Sequence, residues 1–267
     1  MNRERLLIEP HELLGALGRA DLRVFDASVS DGQYREGHIP GSAYFDHAHF
    51  SDPDSPYDST ILDPYLLSRR LGESGISNDT EVVVYAWGML PYAARAWWVL
   101  RYAGHDNVRV LNGGLADWQA AGGPIEQTAQ TYPPTTFASR PRPALFVNKE
   151  EVLAALADTQ QAVIDVLPPA SYAAAHITGS TCLSCFDLLD GMDSFRPIDE
   201  IAERLHHTRG YQRVITYCGG GIAAALNAMA HVMVGQEDVA VYDGSLYEWI
   251  AEGLPMTGTG DWEIWKR

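Results

Sequence analysis

The chain has 267 residues, of which 46% are hydrophobic and 20% are charged, and it carries a formal net charge of −16. These values are typical of a soluble, enzyme-sized protein with room for two domains. The negative charge argues against nucleic acid or an anionic membrane as a partner, because both require a basic surface. No apolar run approaches membrane-spanning length and the charged N-terminus does not resemble a signal peptide, so we expect a cytoplasmic location.

The first half of the chain alternates short apolar runs with stretches that carry apolar residues at helical spacing. Strands are predicted at 22–25, 81–85 and 108–111, and helices at 63–71, 92–102 and 114–121. Alternation of this kind indicates an α/β fold, in which a parallel sheet is flanked by helices on both faces.

The second half predicts the same order of elements. Strands are predicted at 162–164, 213–217 and 239–242, and helices at 149–157, 197–205, 222–234 and 245–251. Between the halves lies a stretch rich in Pro, Thr and Gln without periodicity. We therefore predict a domain at 1–123, a linker at 124–146 and a second domain at 147–267.

The two halves are also similar in sequence, which indicates a duplicated domain. Residues 104–118 align with residues 235–249 without a gap, and three shorter blocks recur in the same order. Trp97, Trp98, Trp118 and Trp249 fall at helical spacing and are expected in the core.

The most informative stretch is an apolar strand that ends on Cys218 and is followed by three glycines and a helix beginning near Ile222. Glycines let backbone N–H groups turn inward, and the helix start adds the positive end of its dipole, so the loop suits an anion. A thiol at its edge should have a lowered pKa. We therefore predict that Cys218 is a nucleophile. Ala86 occupies the aligned position of the first half, which predicts that this half is inactive.

Three cysteines, an odd number, do not make a disulfide framework. Cys182 and Cys185 form a Cys-x-x-Cys pair, which in isolation could be redox-active or half of a zinc site. No second pair of cysteines or histidines at metal-ligand spacing accompanies it, so we predict neither a metal nor a cofactor. Burial is the leading interpretation of this pair.

Together these residues resemble the rhodanese family, specifically its two-domain sulfurtransferases with an inactive N-terminal and an active C-terminal domain. The resemblance is carried by the blocks beginning at His38 and His176, the insertion 51–58, the segment 93–98 and the loop opened by Cys218. It implies that Cys218 takes sulfur from thiosulfate or 3-mercaptopyruvate as a persulfide and passes it to cyanide or another thiophile. It also implies a set of amides that stabilise the persulfide, those of Gly219, Gly220, Gly221, Ile222 and Ala223.

The chain departs from the family where the anionic donor would bind. Many active domains have an arginine two positions after the strand-ending aspartate, but Leu167 follows Asp165 here. The loop glycines match neither substrate signature of the family. The Asp, the His and the loop Ser of the relay proposed for mercaptopyruvate-type members align to Ala48, Ser59 and Gly220, so this relay is absent. The donor therefore stays open. Arg95 is a candidate for the domain interface, where it could replace the missing charge or form a structural salt bridge.

Three other interpretations remain to be weighed. A cysteine phosphatase requires a longer loop ending in an arginine, and residues 223–225 are alanines, so this interpretation fails. A persulfide carrier fed by a protein donor is the alternative to an enzyme, and a protein sulfur acceptor is left open. Cys182 or Cys185 could also resolve the Cys218 persulfide as a disulfide. Histidines 38 and 176, aspartates 26 and 165, and Asn112 with Asp243 recur in both halves and are expected to be structural.

Overall fold

The computed structural model describes residues 3–258 and 260–264, so the outer ends of the predicted domains, 1–2 and 265–267, and residue 259 lie outside the described residues. Within this part the chain folds into two five-stranded parallel sheets flanked by helices, which is the predicted α/β class. No described helix has the length and apolar character needed to span a membrane.

The first sheet lies in the N-terminal half and has the strand order β1-β5-β4-β2-β3. Its strands are β1 (Leu7–Ile8), β2 (Leu22–Asp26), β3 (Ala43–Tyr44), β4 (Glu81–Tyr85) and β5 (Val108–Leu111). The helices of this half are α1 (Arg3–Leu6), α2 (Pro10–Ala16), α3 (Asp31–Glu36), α4 (Pro64–Glu73), α5 (Leu90–Tyr102) and α6 (Leu115–Ala120). The central strand β4 therefore pairs with a neighbouring strand on each side, and the chain continues from its carboxyl end into α5.

The C-terminal half repeats this plan with the strand order β6-β13-β12-β7-β9. Its strands are β6 (Phe146–Val147), β7 (Gln161–Asp165), β8 (Ala175–Ile177), β9 (Thr181–Cys182), β10 (Leu189–Asp190), β11 (Ser194–Phe195), β12 (Arg213–Tyr217), β13 (Val239–Tyr242) and β14 (Met256–Gly258). Its helices are α7 (Lys149–Leu156), α8 (Pro169–Ala174), α9 (Ile198–Arg204), α10 (Ile222–Met233) and α11 (Ser245–Ala251). Two antiparallel pairs, β10 with β11 and β14 with β8, lie outside the parallel sheet.

Helix starts follow from local chemistry. The Asp63 carboxylate accepts a hydrogen bond from Tyr65 N at 2.9 Å and Pro64 occupies the first helical position of α4, a combination that favours a helix start. Asn148 and Glu151 form a reciprocal capping box at the start of α7, which confirms the predicted Asn148 cap. The predicted elements are all present, with ends displaced by at most two residues.

The linker stretch packs against the N-terminal half. The Glu126 and His38 backbones exchange hydrogen bonds at 2.9 and 3.0 Å, and Thr135 N donates to the Gly72 carbonyl at 2.8 Å. A Cβ on Gly72 would lie 2.7 Å from the Thr135 carbonyl oxygen, so this close approach requires glycine. The stretch is therefore ordered by backbone pairing, and the domain boundaries themselves stay a prediction.

The two halves share one apolar core at their junction. Helix α5 packs against α10, and a single cluster of buried side chains contains residues of both halves, among them Trp97 and Leu226. The four tryptophans predicted in the core are fully buried. Indole rings bury some 150–250 Å² each, which makes them dominant contributors to such a core. The packing of α5 on α10 brings the N-terminal half against the loop that precedes α10.

Candidate active site

Cys218 follows directly on β12, the central strand of the C-terminal sheet, and only 3% of it is exposed. Its backbone N–H donates to Ser245 Oγ at 3.1 Å, and its carbonyl accepts from Leu246 N at 3.1 Å. These bonds tie the loop to the start of α11. Ligand sites in open parallel sheets lie at the carboxyl ends of strands, and Cys218 occupies this position.

Backbone amides surround the Cys218 thiol. The N–H groups of Gly220, Gly221, Ala223 and Ala224 hydrogen-bond to it and lower its pKa. Burial acts in the opposite direction and outweighs them, so the pKa of the thiol lies above its ordinary value. The expected lowered pKa is therefore wrong for this arrangement. The loop geometry indicated the amides, but the sequence does not show how far the thiol is removed from water.

The set of surrounding amides overlaps with the predicted one but is not identical to it. Ala224 was not predicted, although the orphan N–H groups of the first helical turn extend that far, so the signal was present in the sequence. Gly220, Gly221 and Ala223 belong to both sets, and their role in binding a persulfide stays a prediction. Roles for Gly219 and Ile222 remain predictions; the Gly219 carbonyl accepts from Tyr247 N at 3.0 Å.

Gly221 is required by the backbone. Its φ of +81° places it in the left-handed region, and it precedes the first residue of α10. A Cβ at this position would lie 2.9 Å from the Asp243 carbonyl oxygen and 3.1 Å from Asp243 Oδ1. A side chain here would therefore strain the backbone and displace the loop from β13.

Arg95 reaches from α5 to this loop and is 2% exposed. Its Nη1 lies 2.8 Å from Asp243 Oδ1 and 3.4 Å from the Gly221 carbonyl oxygen, and its Nη2 donates to the Ser59 carbonyl. The predicted interface position is confirmed. The suggestion that Arg95 replaces the missing anion-binding charge is wrong, because Asp243 neutralises it and it is buried.

Asp243 connects the two halves, which agrees with its expected structural role. Besides its pair with Arg95, its Oδ2 accepts from Ile61 N. Ile61 belongs to the N-terminal half, so this carboxylate joins the end of β13 to that half. Such a contact over 182 residues leaves no local pattern in the sequence.

Residues of the N-terminal half approach the loop from a second side. The Asp58 carbonyl oxygen would lie 3.8 Å from a Cβ on Gly220, and Ser59 has a positive φ of 69°. Burial raises the pKa of Tyr92, and the electrostatic influence of Cys218 raises it further. Burial lowers the pKa of nearby His47 to about 4, so its ring, 5.4 Å from that of Tyr92, is neutral at pH 7. Sequence reasoning missed Tyr92, because only the fold brings it near Cys218.

The other two cysteines lie beside the loop on β9 and the short 3₁₀ helix Cys185–Leu188. Burial raises the pKa of Cys182 to about 11 and that of Cys185 to about 12. Cys185 N donates to the Val166 carbonyl at 2.8 Å, and Val166 N donates to the Tyr217 carbonyl at 2.9 Å. Two successive backbone hydrogen bonds therefore connect Cys185 to the last residue of β12. Among described residues, no group of three or more His, Cys, Asp or Glu side chains is placed to hold a metal ion.

The paired histidines make the same contacts in both halves, which agrees with a structural role. Nδ1 of His38 lies 2.8 Å from the Tyr34 carbonyl, and Nδ1 of His176 lies 2.7 Å from that of Tyr172. Each ring stacks on the tyrosine of the same pair, with centroids 4.0 and 3.8 Å apart. Their shared contribution is to hold the chain that follows α3 in the N-terminal half and α8 in the C-terminal half.

Comparison with known proteins agrees with this geometry. A family model described as a rhodanese-like domain matches residues 9–121 and again residues 148–252. A thiosulfate sulfurtransferase of Mus musculus is 33% identical, over 91% of this chain and 89% of the relative. A probable 3-mercaptopyruvate sulfurtransferase of Pseudomonas aeruginosa is 30% identical, over 96% of this chain and 98% of the relative.

Solved structures show the same arrangement. The crystal structure of SseA from Escherichia coli, described among 3-mercaptopyruvate sulfotransferases with the rhodanese fold, superposes with a TM-score of 0.81 at 28% identity, covering 90% of this chain and 98% of that chain. Wild-type EanB shares the fold, with a TM-score of 0.85 at 23% identity, covering 97% of this chain and 70% of that chain. The chain therefore belongs to the rhodanese family, as a sulfurtransferase with two tandem rhodanese-like domains.

Proposed function

We propose that Cys218 is the catalytic residue of a sulfurtransferase that moves sulfane sulfur from thiosulfate or 3-mercaptopyruvate to cyanide or another thiophile. The observation that carries the proposal is the ring of four amides around a thiol at the end of the central strand. These N–H groups offer fixed donors to a negative charge on sulfur, which develops in the thiolate and again in the persulfide. The predicted loop amides of Gly219 and Ile222 belong to the same proposal.

The reaction consists of two displacements. The Cys218 thiolate attacks the outer sulfur of thiosulfate, the S–S bond of the donor breaks, and sulfite leaves with the bonding electron pair. With 3-mercaptopyruvate, the C–S bond breaks, and the thiol proton and electron pair go to the carbon fragment, which leaves as pyruvate. Cyanide then attacks the outer sulfur of the persulfide, thiocyanate leaves, and the Cys218 thiolate is restored.

The two donors are supported by different relatives, one named for each. The charges around the loop favour neither, because Arg95 is committed to Asp243 and Leu167 is a buried apolar side chain. No other described arginine or lysine hydrogen-bonds to residues 218–224. The donor assignment therefore depends on experiment.

A persulfide carrier remains the second candidate, favoured by the burial of Cys218 and the absence of a free cation on its described loop. A carrier binds at most one sulfur per chain and turns over slowly with small donors. A protein sulfur acceptor and the cytoplasmic location also stay predictions.

The test is to incubate the protein with each donor in turn and measure sulfur on Cys218 by intact and peptide mass spectrometry. We expect one added sulfur from at least one donor, its discharge by cyanide as thiocyanate, and repeated turnover with both substrates. Cys218→Ala should abolish the uptake, whereas the matched double variant Cys182→Ser, Cys185→Ser should retain it. Uptake without turnover would support the carrier, and no uptake from either donor would contradict the enzyme.

A further inference from the structure

Two aromatic rings lie directly over the Cys218 loop. A Cβ on Gly219 would be 2.6 Å from the Trp262 ring, and a Cβ on Gly220 would be 3.2 Å from the Tyr247 ring. The two rings contact each other edge to face, with centroids 5.2 Å apart and an interplanar angle of 65°. We refer to Tyr247 and Trp262 as the aromatic cover. The loop glycines thus leave room for the cover as well as for inward amides.

A hydrogen bond closes the cover from outside. Tyr247 Oη donates to Glu263 Oε1 at 2.6 Å, a short distance typical of a bond to a carboxylate. Tyr247 is 41% exposed and Trp262 is 5% exposed, so Tyr247 forms the outer part and Trp262 the inner part. Burial and the bond to Glu263 raise the pKa of Tyr247, which keeps the phenol protonated and able to donate.

The two rings are carried by parts of the chain that differ in their attachment. Tyr247 belongs to α11, whose first turn is bonded to the Cys218 loop through Leu246 N and Tyr247 N. Trp262 follows Gly260, whose N–H donates to the Ala174 carbonyl at 3.0 Å just beyond the β14–β8 pair. The aromatic cover is therefore built from two segments, α11 and residues 260–264.

The N-terminal half also lies close to the loop. The Asp58 carbonyl oxygen would be 3.8 Å from a Cβ on Gly220, and Cys218 itself is almost completely buried. A sulfur donor or acceptor must come within bonding distance of the Cys218 sulfur. Reaction at this thiol therefore requires displacement of a group that covers the loop.

We propose that Trp262 and Tyr247 are specificity-determining residues, which admit small reactants to Cys218 and exclude bulky thiols until the aromatic cover is displaced. A reactant of two atoms such as cyanide requires a small displacement of the indole. A reactant of peptide size requires the Tyr247–Glu263 hydrogen bond to break. This inference rests on the proposed function for its meaning in sulfur transfer, but access to the thiol is measurable without it.

The first experiment measures alkylation of the Cys218 thiol by iodoacetamide and by fluorescein maleimide, each quantified on the Cys218 peptide by mass spectrometry. In Trp262→Ala we expect the rate with the bulky maleimide to rise about tenfold more than the rate with iodoacetamide. A factor of about ten corresponds to the loss of one strong local contact. Tyr247→Phe, which keeps the ring and removes the bond to Glu263, should change the ratio in the same direction by a smaller factor. Trp262→Phe keeps a ring over Gly219 and serves as the matched control.

The second experiment compares discharge of the Cys218 persulfide by cyanide and by glutathione in single turnovers. In the variants, discharge of the persulfide by glutathione should accelerate more than discharge by cyanide. If the wild type takes up no sulfur, the proposed function fails while the alkylation ratios still test the cover. Equal alkylation ratios in the wild type, Trp262→Ala and Tyr247→Phe would overturn the inference, and Tyr247→Phe alone decides if Trp262→Ala does not fold.

Discussion

The loops after β4 and β12 occupy equivalent central positions in two similar sheets, yet only one of them surrounds a thiol with amides. In the N-terminal loop, Ala86 is followed by Trp87, a buried residue whose N–H donates to Ser28 Oγ at 2.9 Å and whose indole donates to the Gly37 carbonyl at 3.2 Å. In the C-terminal loop, Gly219 occupies the position aligned with Trp87, and the Trp262 ring of another segment packs against this glycine.

The comparison shows that sheet position alone does not make a nucleophile site. A Trp87 side chain that belongs to the loop itself fixes its backbone in a packed arrangement, whereas glycines leave the amides free to point at an anion. The N-terminal half instead contributes Arg95, which holds the Gly221 carbonyl across the interface. We interpret this half as a support for the loop of its duplicate.

The strongest test of this comparison moves the thiol from one loop to the other. A chain with Cys218→Ala and Ala86→Cys should lose sulfurtransferase activity by about 10³-fold or more, because the new thiol lacks the inward amides. Thiocyanate formation under steady-state conditions measures the effect, with Cys218→Ala alone as the control. Substantial activity in the exchanged chain would show that position in the sheet suffices.

The second test removes the contact between the halves. Arg95→Met leaves Asp243 buried without its partner, which should lower the free energy of unfolding by about 3–5 kcal/mol and reduce activity as the Gly221 carbonyl loses its donor. Urea denaturation and turnover on the same preparation measure both. Stability and activity should fall together, since one contact serves both.

Arg101→Met is the matched control for Arg95→Met. Arg101 lies on the same helix, 4.9 Å from the centroid of the Trp97 ring, with a side chain that is 16% exposed. Its loss should cost about 1 kcal/mol and leave turnover unchanged. An equal loss of activity in both variants would mean that α5 as a whole, rather than Arg95, supports the loop.

The third test concerns a feature that the halves share. Burial raises the pKa of Asp165 to about 6 and that of Asp26 above its usual value. A folded-state pKa above the unfolded value stabilises the protein below about pH 4, and this contribution is lost as pH rises through 6. In the wild type, this loss lowers the free energy of unfolding by at most about 3 kcal/mol between pH 4 and 7. Asp165→Asn, whose amide oxygen still accepts from Leu167 N, should abolish this pH dependence.

Chemical denaturation of the wild type and Asp165→Asn at several pH values measures this slope, and Asp26→Asn gives the same comparison for the N-terminal half. We expect both asparagine variants to flatten the curve. Unchanged slopes in both would mean that the buried carboxylates keep ordinary pKa values in the folded protein.

These features divide into those that the sequence predicts and those that it does not. The strands ending at Tyr85 and Tyr217, the Cys218 loop and the duplication follow from local periodicity and glycine chemistry. The two-residue strands β1, β3 and β6 do not, because two residues have no measurable period and pair only when the sheet is formed.

The site was predictable only where neighbours in sequence make it. The amides of residues 220–223 follow from the loop, but the contacts of Asp243 and Trp262 come from packing between distant segments. The raised pKa of Cys218 has the same origin, because desolvation depends on everything that covers the thiol. Local chemistry predicts the nucleophile, whereas long-range packing determines the pKa of its thiol.

The last comparison concerns two glycines that share a backbone conformation but differ in surroundings. Gly88, in the loop after β4, has a φ of +76° with no atom near a would-be Cβ, whereas Gly221 has both a positive φ and a close Asp243 carbonyl. Gly88→Ala should lower the free energy of unfolding by about 1 kcal/mol, because alanine is disfavoured in the left-handed backbone region, and leave turnover unchanged.

Gly221→Ala should cost more, about 2–3 kcal/mol, and lower turnover by about 10² because a shift of 1 Å misplaces the amides around the sulfur. Thermal unfolding and thiocyanate formation on both variants measure the difference. If Gly88→Ala reduced turnover as much as Gly221→Ala, the loop of the N-terminal half would take part in the reaction. An unaffected Gly221→Ala enzyme would instead show that the amide ring tolerates displacement, and catalysis would then have to depend on the surrounding aromatic and interface groups.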